Sequence, residues 1–486
     1  MTPVLLINKQ LCRLIDFPAE IYKIVYNELS YRDGNVFMSP AFRKGYWDGY
    51  TRLYRRRDNS FKVGLLYRVY NILKAEKIAF EIVDERDYEQ VKLNLESLDD
   101  GVFTLRPEQR EAILQFCTSN YIAGKIPLNR GIFNIPPRVG KTILLGYLGK
   151  ALNAFPFVFL NQRIDLVQQS RKVFTKLFGH HIGIIGNGMC DVNSPVIVAT
   201  VQSVCLAFDI KVKKGEFLET EKVTNKEAIR KLIARTQHLG IDEVHHSSSD
   251  SFQDLTEKLG SCHFVTGLSG TAETEKGDSM KMEQLCGPII YSLTRKHCVD
   301  KGYILPIDVN FIKLPLKETS SEKKDFQSIK AEAITTNTDI DKVVQDLVRK
   351  LKRSNKSSVV MVNEKKQGDR LAALLKVPYL HGGVKGHERA KVYDLLNRKK
   401  ILTIVSTVTD EGVDLVTLDV CIIASIRKSV VSAWQRFRCA TPSEGKTKGI
   451  VYIIYPDADY IRSHAAKLYR VYSKDPTVTI RKFVKK

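Results

Sequence analysis

The apolar residues of the chain gather in short runs, and the stretches between the runs carry helical spacing. The runs are apolar at nearly every position and rich in β-branched and aromatic residues, which is typical of parallel strands covered on both faces. The first series comprises "IFNI" (132–135), "FVFLN" (157–161), "VIVATV" (196–201), "HLGIDEV" (238–244) and "HFVTGLSG" (263–270). The second comprises "SVVMVN" (358–363), "LTIVST" (402–407), "VCIIAS" (420–425) and "GIVYIIYP" (449–456). We therefore predict an α/β protein with two doubly wound parallel sheets.

The segment before residue 101 differs from these series in its charge. Its first 77 residues hold 14 Lys and Arg against 7 Asp and Glu, whereas residues 78–100 hold 2 against 8. This reversal marks a domain boundary near residue 100, and the two strand series join near "KGYILPIDV" (301–309). We predict three domains: a small α+β domain over 1–100 and two α/β domains over 101–305 and 306–486.

The overall charge of the chain indicates the kind of partner that the protein binds. The formal net charge is +22, and such an excess favours a polyanion, most often nucleic acid. No apolar run approaches the length of a membrane-spanning helix, so we expect no membrane partner. The nine cysteines are scattered without a C-x-x-C pair, which favours a reducing compartment. We expect this compartment to be the cytoplasm, or the cytoplasm of a host cell if the protein is viral.

The stretch "IFNIPPRVGKTILLGYLGKAL" reads as strand, loop and helix, the context of a phosphate-binding loop. Gly140, Lys141 and Thr142 match the end of G-x-x-x-x-G-K-[ST], but Ile135 replaces its first glycine. Arg138 stands where many such loops carry a further glycine. We expect the amides of the helix start to face phosphates, Lys141 to reach them, and Thr142 to ligate Mg²⁺. The predicted nucleotide-binding loop is completed by Pro137, Arg138 and Val139.

Two further elements fit a nucleotide site. "IDEVHH" closes an apolar strand with Asp242 and Glu243; one carboxylate can hold Mg²⁺ through water, and its neighbour can accept a proton from attacking water. Gln109 in "LRPEQREAI" carries an amide that could read an adenine edge. The alternatives are a common acidic pair at a strand end and an ordinary surface glutamine.

Between residues 101 and 456, the chain carries a series of motifs that resembles the superfamily 2 helicases of the DExH type. The motifs are, in chain order, "PEQREAI", "IPPRVGKT", "FLNQRIDLVQQ", "ATVQSV", "DEVH", "LSGTAE", "VVMVNEKKQGDRLAALL", "YLHGG" and "IVSTVTDEGVDLVTLDVCII". The resemblance implies two RecA-like domains with ATP and Mg²⁺ bound between them. It implies that Glu411, Gly412 and Asp414 line the ATP cleft.

The same resemblance implies a set of nucleic-acid contacts, made by Arg163, Thr200, Gln202, His381 and Thr407. The motif that supplies arginines to the γ-phosphate departs from the family pattern, since "WQRFRCATP" lacks the glycine and the last arginine. Gln435 and Arg436 align with the pattern, and Arg438 aligns if one residue is deleted. Either arginine can therefore be the one that stabilises the transferring phosphate.

The N-terminal stretch "FMSPAFRKGYWDGYTRLYRRRDNSFKVGLLYRVYNIL" resembles the small first domain of phage UvsW-type recombination helicases. The resemblance implies action on branched DNA. The residues themselves fit DNA, because cations interleave with tyrosines and Trp47; cations contact phosphates and exposed aromatic rings stack on bases. The predicted DNA contacts here are Arg43, Lys44, Arg55, Arg56 and Arg57. For Trp47 we favour a place in the core.

Taken together, the residues and the resemblance predict an ATP-dependent DNA helicase. The resemblance implies fork remodelling and Holliday-junction branch migration in recombination, repair and replication, by a monomer that meets other proteins of those processes. One alternative is an RNA-directed or transcription-linked helicase. A second is a nucleic-acid annealing or scaffold protein with weak ATPase activity. A third is the motor subunit of a restriction system.

Overall fold

The computed structural model describes residues 2–32, 36–88, 91–210, 223–248, 250–259, 262–270, 276–315, 334, 336–407, 415–426 and 438–484. The chain divides into two compact units. The first unit holds Met1–Pro136 and Gly140–Ser292, and the second holds Leu293–Lys486 together with Pro137–Val139.

The first unit contains a small N-terminal sheet and a large one. Its strands are β1 Val4–Ile7, β2 Leu11–Ile15, β3 Ser30–Arg32, β4 Tyr50–Arg52, β5 Tyr54–Arg55, β6 Ser60–Lys62, β7 Glu81–Asp84, β8 Tyr121–Ile122, β9 Ile126–Pro127, β10 Arg130–Asn134, β11 Phe157–Asn161, β12 Gly183–Gly186, β13 Met189–Asp191, β14 Val196–Thr200, β15 His238–Ile241, β16 Phe264–Ser269 and β17 Ile289–Ser292. Its helices are α1 Ala19–Glu28, α2 Pro40–Arg43, α3 Leu66–Ala75, α4 Pro107–Ser119, α5 Lys141–Leu152, α6 Ile164–Phe178, α7 Val201–Ala207, α8 Lys226–Arg235, α9 Asp250–Leu259 and α10 Lys276–Cys286.

The N-terminal sheet has the order β5-β6-β2-β1-β7. β1 pairs with β7 in parallel, and the other pairings are antiparallel. The alternating apolar residues of β1 and β2 meet the apolar faces of α1 and α3 in one buried core. Ile122 and Leu128, which lie beyond residue 100, belong to the same core. The predicted α+β N-terminal domain is therefore present.

The large sheet of the first unit has the order β13-β12-β14-β11-β15-β16-β10-β17. All neighbours pair in parallel except β12 and β13, which confirms the parallel α/β prediction. Helices α7 to α10 contribute to the core on one face. On the other face, α5 packs so closely that a Cβ on Gly240 of β15 would lie 2.6 Å from Leu145 Cδ2. This order brings the carboxyl ends of β14, β11, β15, β16 and β10 to one edge.

The second unit carries a seven-stranded sheet whose neighbours all pair in parallel, in the order β20-β21-β19-β22-β23-β18-β24. Its strands are β18 Ile307–Leu314, β19 Ser358–Met361, β20 Tyr379–Leu380, β21 Thr403–Ser406, β22 Val420–Ile423, β23 Gly449–Pro456 and β24 Val478–Val484. Its helices are α11 Arg295–Asp300, α12 Thr338–Arg353, α13 Lys365–Leu375, α14 Gly386–Asn397 and α15 Asp459–Tyr472.

Both faces of this sheet are covered, as the continuous apolar runs predict. Val360 of β19 lies in the core beneath α12 and α13, whereas its neighbours Val359 and Met361 lie in the core beneath α14 and α15. Successive residues of a strand point to opposite faces, so an apolar run serves two helical layers. The second doubly wound domain is confirmed.

The N-terminal domain packs directly on α10 of the large sheet. Gly64 lies in the turn Val63–Leu65, where an added Cβ would come within 2.1 Å of the Glu283 carbonyl oxygen. Arg68 binds the Glu283 carboxylate through two nitrogens, at 2.9 and 2.8 Å. The buried Arg130 of β10 donates to the carbonyl oxygens of Leu285, at 2.7 Å, and Lys9, at 3.4 Å. The N-terminal domain is thus attached to the large sheet by one close backbone approach and by the side chains of Arg68 and Arg130.

Candidate functional site: a nucleotide-binding edge

The loop after β10 accommodates its unusual residues. Ile135 is 1% exposed, so its side chain points into the core. Its N–H donates to the Ser269 carbonyl oxygen at 2.8 Å, which extends the pairing of β10 with β16 by one residue. An isoleucine at the first glycine position of the motif is therefore compatible with the loop.

Two residues of the loop adopt the left-handed conformation that favours glycine. Gly140 has φ 87°, and an added Cβ would lie 2.5 Å from Gln109 Nε2. Arg138 has φ 74° although it carries a side chain. This conformation costs a non-glycine residue about 1 kcal/mol. Arg138 thus takes the backbone shape that a glycine gives to many such loops.

Gln109 links helix α4 to this loop. It is 4% exposed, its Oε1 accepts from the Arg106 N–H at 2.9 Å, and its Nε2 donates to the Gly140 carbonyl oxygen at 3.1 Å. The surface-glutamine alternative is therefore wrong for this residue. The adenine contact stays a prediction, and the structure adds a direct role in holding the loop.

The carboxylates predicted beside the loop lie next to Lys141. The Lys141 ammonium is 2.7 Å from Glu243 Oε1, and both side chains are mostly buried. Asp242 directly follows β15, and its N–H donates to the Leu160 carbonyl oxygen at 2.9 Å. The Glu243 N–H donates to Asp242 Oδ1 at 2.9 Å. Residues from positions 141 and 242–243 therefore form one cluster.

A histidine and a serine extend this cluster. The buried His245 places Nδ1 3.4 Å from Glu243 Oε2 and 3.2 Å from Ser269 Oγ. Ser269 ends β16, which is the strand between β15 and β10. The contacts join the ends of three neighbouring strands in one network of hydrogen bonds and charges.

The charges around Glu243 decide its ionisation. Burial by itself raises the pKa of Glu243, but the nearby Lys141 ammonium and then His245 outweigh burial and hold the pKa well below its usual value. Glu243 is thus a carboxylate at neutral pH, and its charge depends chiefly on Lys141. Lys141 and Glu243 form a mostly buried ion pair, and Asp242 adds a second carboxylate to the cluster.

The nucleic-acid residues predicted in the first unit lie at the same sheet edge, beside the cluster. Thr200 ends β14, is fully buried, and accepts from the Ser203 N–H at 3.2 Å, capping α7. Gln202 in α7 is buried as well. Arg163 begins α6 beside the end of β11, and its Nη2 donates to Asp165 Oδ2 at 3.3 Å. The structure gives Thr200 a capping role, and the nucleic-acid contacts of these residues stay predictions.

The corresponding pair in the second unit also shares a sheet edge. His381 follows β20 and accepts from the Gly383 N–H at 3.1 Å through Nδ1. Thr407 follows the neighbouring β21, and its N–H donates to the Leu380 carbonyl oxygen at 3.0 Å. Both residues are half-buried. Their shared position is suitable for one extended ligand, and this role stays a prediction.

The predicted basic residues of the N-terminal domain have different surroundings. Arg55 pairs with Glu257 of α9 at 3.1 Å, together with Lys62 at 3.2 Å. Arg56 stacks over the Tyr26 ring at 3.6 Å. Arg43, Lys44 and Arg57 are exposed. Trp47 is half-buried and its Nε1 donates to the Tyr50 carbonyl oxygen at 2.9 Å, so it anchors the local chain.

Sequence reasoning missed the acidic partners of this domain. Glu257 and Glu283 lie 195 to 215 residues from the cations that they bind. No local motif marks either residue.

Some predicted site residues of the second unit lie outside the described residues: Glu411, Gly412, Asp414, Gln435 and Arg436. Arg438 is the first residue of a short turn, Arg438–Ala440. Only the backbone of Arg438 is described.

Two known protein families match separate segments of the chain. The family described as "Type III restriction enzyme, res subunit" matches residues 102–274. The family described as "Helicase conserved C-terminal domain" matches residues 339–438. The two segments contain the predicted motifs of the first and second α/β domains.

Two curated relatives carry helicase names. "Putative helicase 22" of Sulfolobus islandicus filamentous virus is 23% identical over 289 residues, covering 53% of this chain and 51% of the relative. "DNA 3'-5' helicase XPB" of Kineococcus radiotolerans is 25% identical over 323 residues, covering 65% of this chain and 53% of the relative. The chain thus spans about half the length of these two relatives.

Two solved structures are similar to the chain. The restriction-modification enzyme LlaBIII bound to DNA aligns with 83% of this chain and 33% of its own at 13% identity and a TM-score of 0.54, which shows a shared fold. The crystal structure of T4 UvsW aligns over the whole of both chains at 17% identity, with a TM-score of 0.46. Among the described residues, every helix is too short or too polar to cross a bilayer.

Proposed function

We propose that the chain is a superfamily 2 helicase, an ATP-dependent DNA helicase or translocase that acts on branched DNA; the family matches over residues 102–274 and 339–438 support this. The observation that carries the catalytic part is the ion pair of 2.7 Å between Lys141 and Glu243 at the ends of β10 and β15. A structural ion pair would need neither the left-handed loop beside it nor a second carboxylate next to it. A phosphate-transfer site built on a phosphate-binding loop uses both.

The residues present fit a magnesium nucleotide. Lys141 and Thr142 open α5, whose first amides lack partners within the helix and suit phosphate oxygens. Gly140 keeps this place free of a side chain. Thr142 and Asp242 offer the oxygen ligands that Mg²⁺ prefers. Bound ATP supplies the phosphoanhydride bond whose hydrolysis drives movement.

Glu243 is the residue that we assign as general base. In the present state Lys141 neutralises it and lowers its pKa. Binding of the Lys141 ammonium to a phosphate would separate it from Glu243 and leave the Glu243 carboxylate available to accept the proton of an attacking water.

We propose that the polymer is DNA and that the protein acts where the DNA is branched. The net charge of +22 supports a nucleic-acid partner, and one relative bears the name of a DNA helicase. The choice of branched DNA rests on the resemblance of the N-terminal sequence to UvsW-type helicases. We infer that the protein works in a reducing compartment, the cytoplasm, since its nine cysteines form no C-x-x-C pair.

The test is ATP hydrolysis at one salt concentration with a panel of polymers: none, single-stranded DNA, duplex DNA, a four-way junction and RNA. The proposal expects stimulation by DNA, and most by the junction. Stimulation by RNA alone would replace the DNA helicase with an RNA helicase. Absence of hydrolysis with every polymer would favour an annealing or scaffold protein.

A further inference from the structure

Two aromatic side chains of the N-terminal domain face solvent to an unusual extent. Phe37 is 64% exposed and Tyr46 is 84% exposed. Both lie in the segment between β3 and β4, within residues 36–50, which we call the aromatic tip. Single exposed apolar residues are ordinary, but two large rings in one short segment indicate a binding surface.

The exposure does not come from a loose segment. Val36 is buried, and Gly49, with φ 83°, lies so close that an added Cβ would be 2.5 Å from Val36 Cγ2 and 3.2 Å from the Phe42 ring. The Trp47 indole N–H donates to the Tyr50 carbonyl oxygen at 2.9 Å. The aromatic tip therefore has its own inner contacts, which hold it together while Phe37 and Tyr46 face outwards.

Cationic groups lie beside the Phe37 ring. The Arg32 guanidinium lies 5.4 Å from the centre of the Phe37 ring. Arg43 donates through Nε to the Phe37 carbonyl oxygen at 2.8 Å, and Lys44 beside it is exposed. Rings flanked by cations suit single-stranded nucleic acid, because bases stack on the rings while phosphates meet the charges. Paired bases present no free face to such a ring, so duplex binding would use the cations alone.

We propose that the aromatic tip binds unpaired nucleotides at a branch in DNA, with one base stacked on Phe37 and one on Tyr46, and with neighbouring phosphates beside Arg32 and Arg43. The inference rests on the proposed function for the identity of the polymer. It adds the part of the branch that is recognised and the residues that recognise it. Phe37 and Tyr46 are therefore specificity-determining residues for unpaired over paired DNA.

The test compares two DNAs that differ only at the branch: a three-way junction with a short unpaired gap containing 2-aminopurine, and the same junction fully paired. The full-length protein and its Phe37→Ala, Tyr46→Ala and double variants are titrated against both. Stacking on an aromatic ring contributes about 1–3 kcal/mol per base, so each single variant should bind the gapped junction about tenfold more weakly. Binding to the paired junction should change less than twofold, and 2-aminopurine quenching should be lost.

Two further variants control for other causes. Tyr46→Phe keeps the ring and should bind as the natural protein does. Tyr121→Ala removes another exposed ring, on β8 and outside the N-terminal stretch predicted to contact DNA, and should change neither titration. Thermal unfolding of each variant excludes a folding defect as the cause of weaker binding.

Several outcomes would overturn the inference. Equal losses on gapped and paired junctions would make the aromatic tip a general phosphate contact. Unchanged binding of both DNAs by the double variant would remove the tip from the DNA interface and leave a protein partner as its occupant. A failure of the proposed function would give a different result. The natural protein would then show no DNA-stimulated hydrolysis, whether or not Phe37 and Tyr46 contribute to binding of the gapped junction.

Discussion

At the scale of single residues, the Lys141–Glu243 pair makes a catalytic prediction. Glu243→Gln keeps the shape of the side chain but removes the proton acceptor, so hydrolysis should fall at least about 100-fold. ATP binding, measured with a fluorescent analogue, should persist because Lys141 then has no carboxylate to compete with phosphate. Glu257→Gln on α9 is the matched control and should hydrolyse ATP at the natural rate. Near-normal hydrolysis by Glu243→Gln would remove Glu243 from the role of base.

The two left-handed residues of the loop predict changes of opposite sign. Arg138→Gly relieves a strained conformation, so the free energy of unfolding should stay level or rise by up to about 1 kcal/mol. Gly140→Ala should lower it by about 1–2 kcal/mol, because it adds strain at φ 87° and a contact with Gln109 Nε2. Urea denaturation of both variants measures the two values. A loss of stability in Arg138→Gly would mean that the arginine side chain holds the loop more strongly than its backbone strains it.

The residues of the site could be predicted where the chemistry lies close together along the chain. Lys141 and Thr142 adjoin the loop, and Asp242 and Glu243 adjoin an apolar strand, so short motifs sufficed to find them. The left-handed conformation of Arg138 could not be predicted, since arginine rarely adopts it. Nor could the pairing of Arg55 with Glu257, because only the folded sheets bring residues 202 positions apart into contact.

At the scale of elements, the cap of α7 separates a structural role from a binding role. Thr200→Val keeps the shape of the side chain but loses the hydroxyl that accepts from the Ser203 N–H, which should cost about 1 kcal/mol of stability. Asn225→Ala removes the corresponding cap of α8, where Asn225 Oδ1 accepts from the Ala228 N–H at 3.0 Å, and should cost a similar amount. Only Thr200→Val should also weaken DNA binding, since α7 begins at the sheet edge that we propose for DNA. Equal effects of both variants on DNA affinity would contradict that placement.

The elements themselves followed from the apolar runs, but their order across the sheets did not. A buried strand is apolar on both faces whichever strands lie beside it, so β16 between β15 and β10 leaves no trace in the sequence. That order of strands places Ser269 next to His245. The nine predicted runs correspond to β10, β11, β14, β15, β16, β19, β21, β22 and β23, whereas the other strands of the two large sheets were not predicted: β12, β13, β17, β18, β20 and β24.

At the scale of the whole molecule, the attachment of the N-terminal domain makes a pH-dependent prediction. Burial raises the pKa of Glu283, and Arg68 partly offsets this. A carboxyl whose pKa is higher in the folded state favours folding at low pH, and this contribution is lost as the pH rises through that pKa. Arg68→Ala should raise the pKa further and lower the free energy of unfolding by about 1–2 kcal/mol near neutral pH, with a smaller loss at about pH 5.

Urea denaturation at the two pH values measures this loss, and Arg68→Lys, which keeps the charge, should lose less. A loss of equal size at both pH values would show that packing of the arginine stem, rather than the charge of Glu283, stabilises the attachment. The boundary predicted near residue 100 reflects a change of charge along the chain. That boundary stays a prediction; residues 1–100 share the first compact unit with the large sheet.

The contact of Gly64 with α10 has a consequence for how the protein is made. The carbonyl oxygens that Gly64 meets belong to residues 283 and 284, and Ile122 and Leu128 fill the core of the N-terminal sheet. A chain is synthesised from its amino end, so residues 1–100 leave the ribosome before Ile122 and Leu128, and well before residues 283 and 284. The N-terminal sheet therefore reaches its final packing only after the chain up to α10 has been synthesised. The rate of translation across residues 101–286 sets how long the apolar surface beside Gly64 stays uncovered.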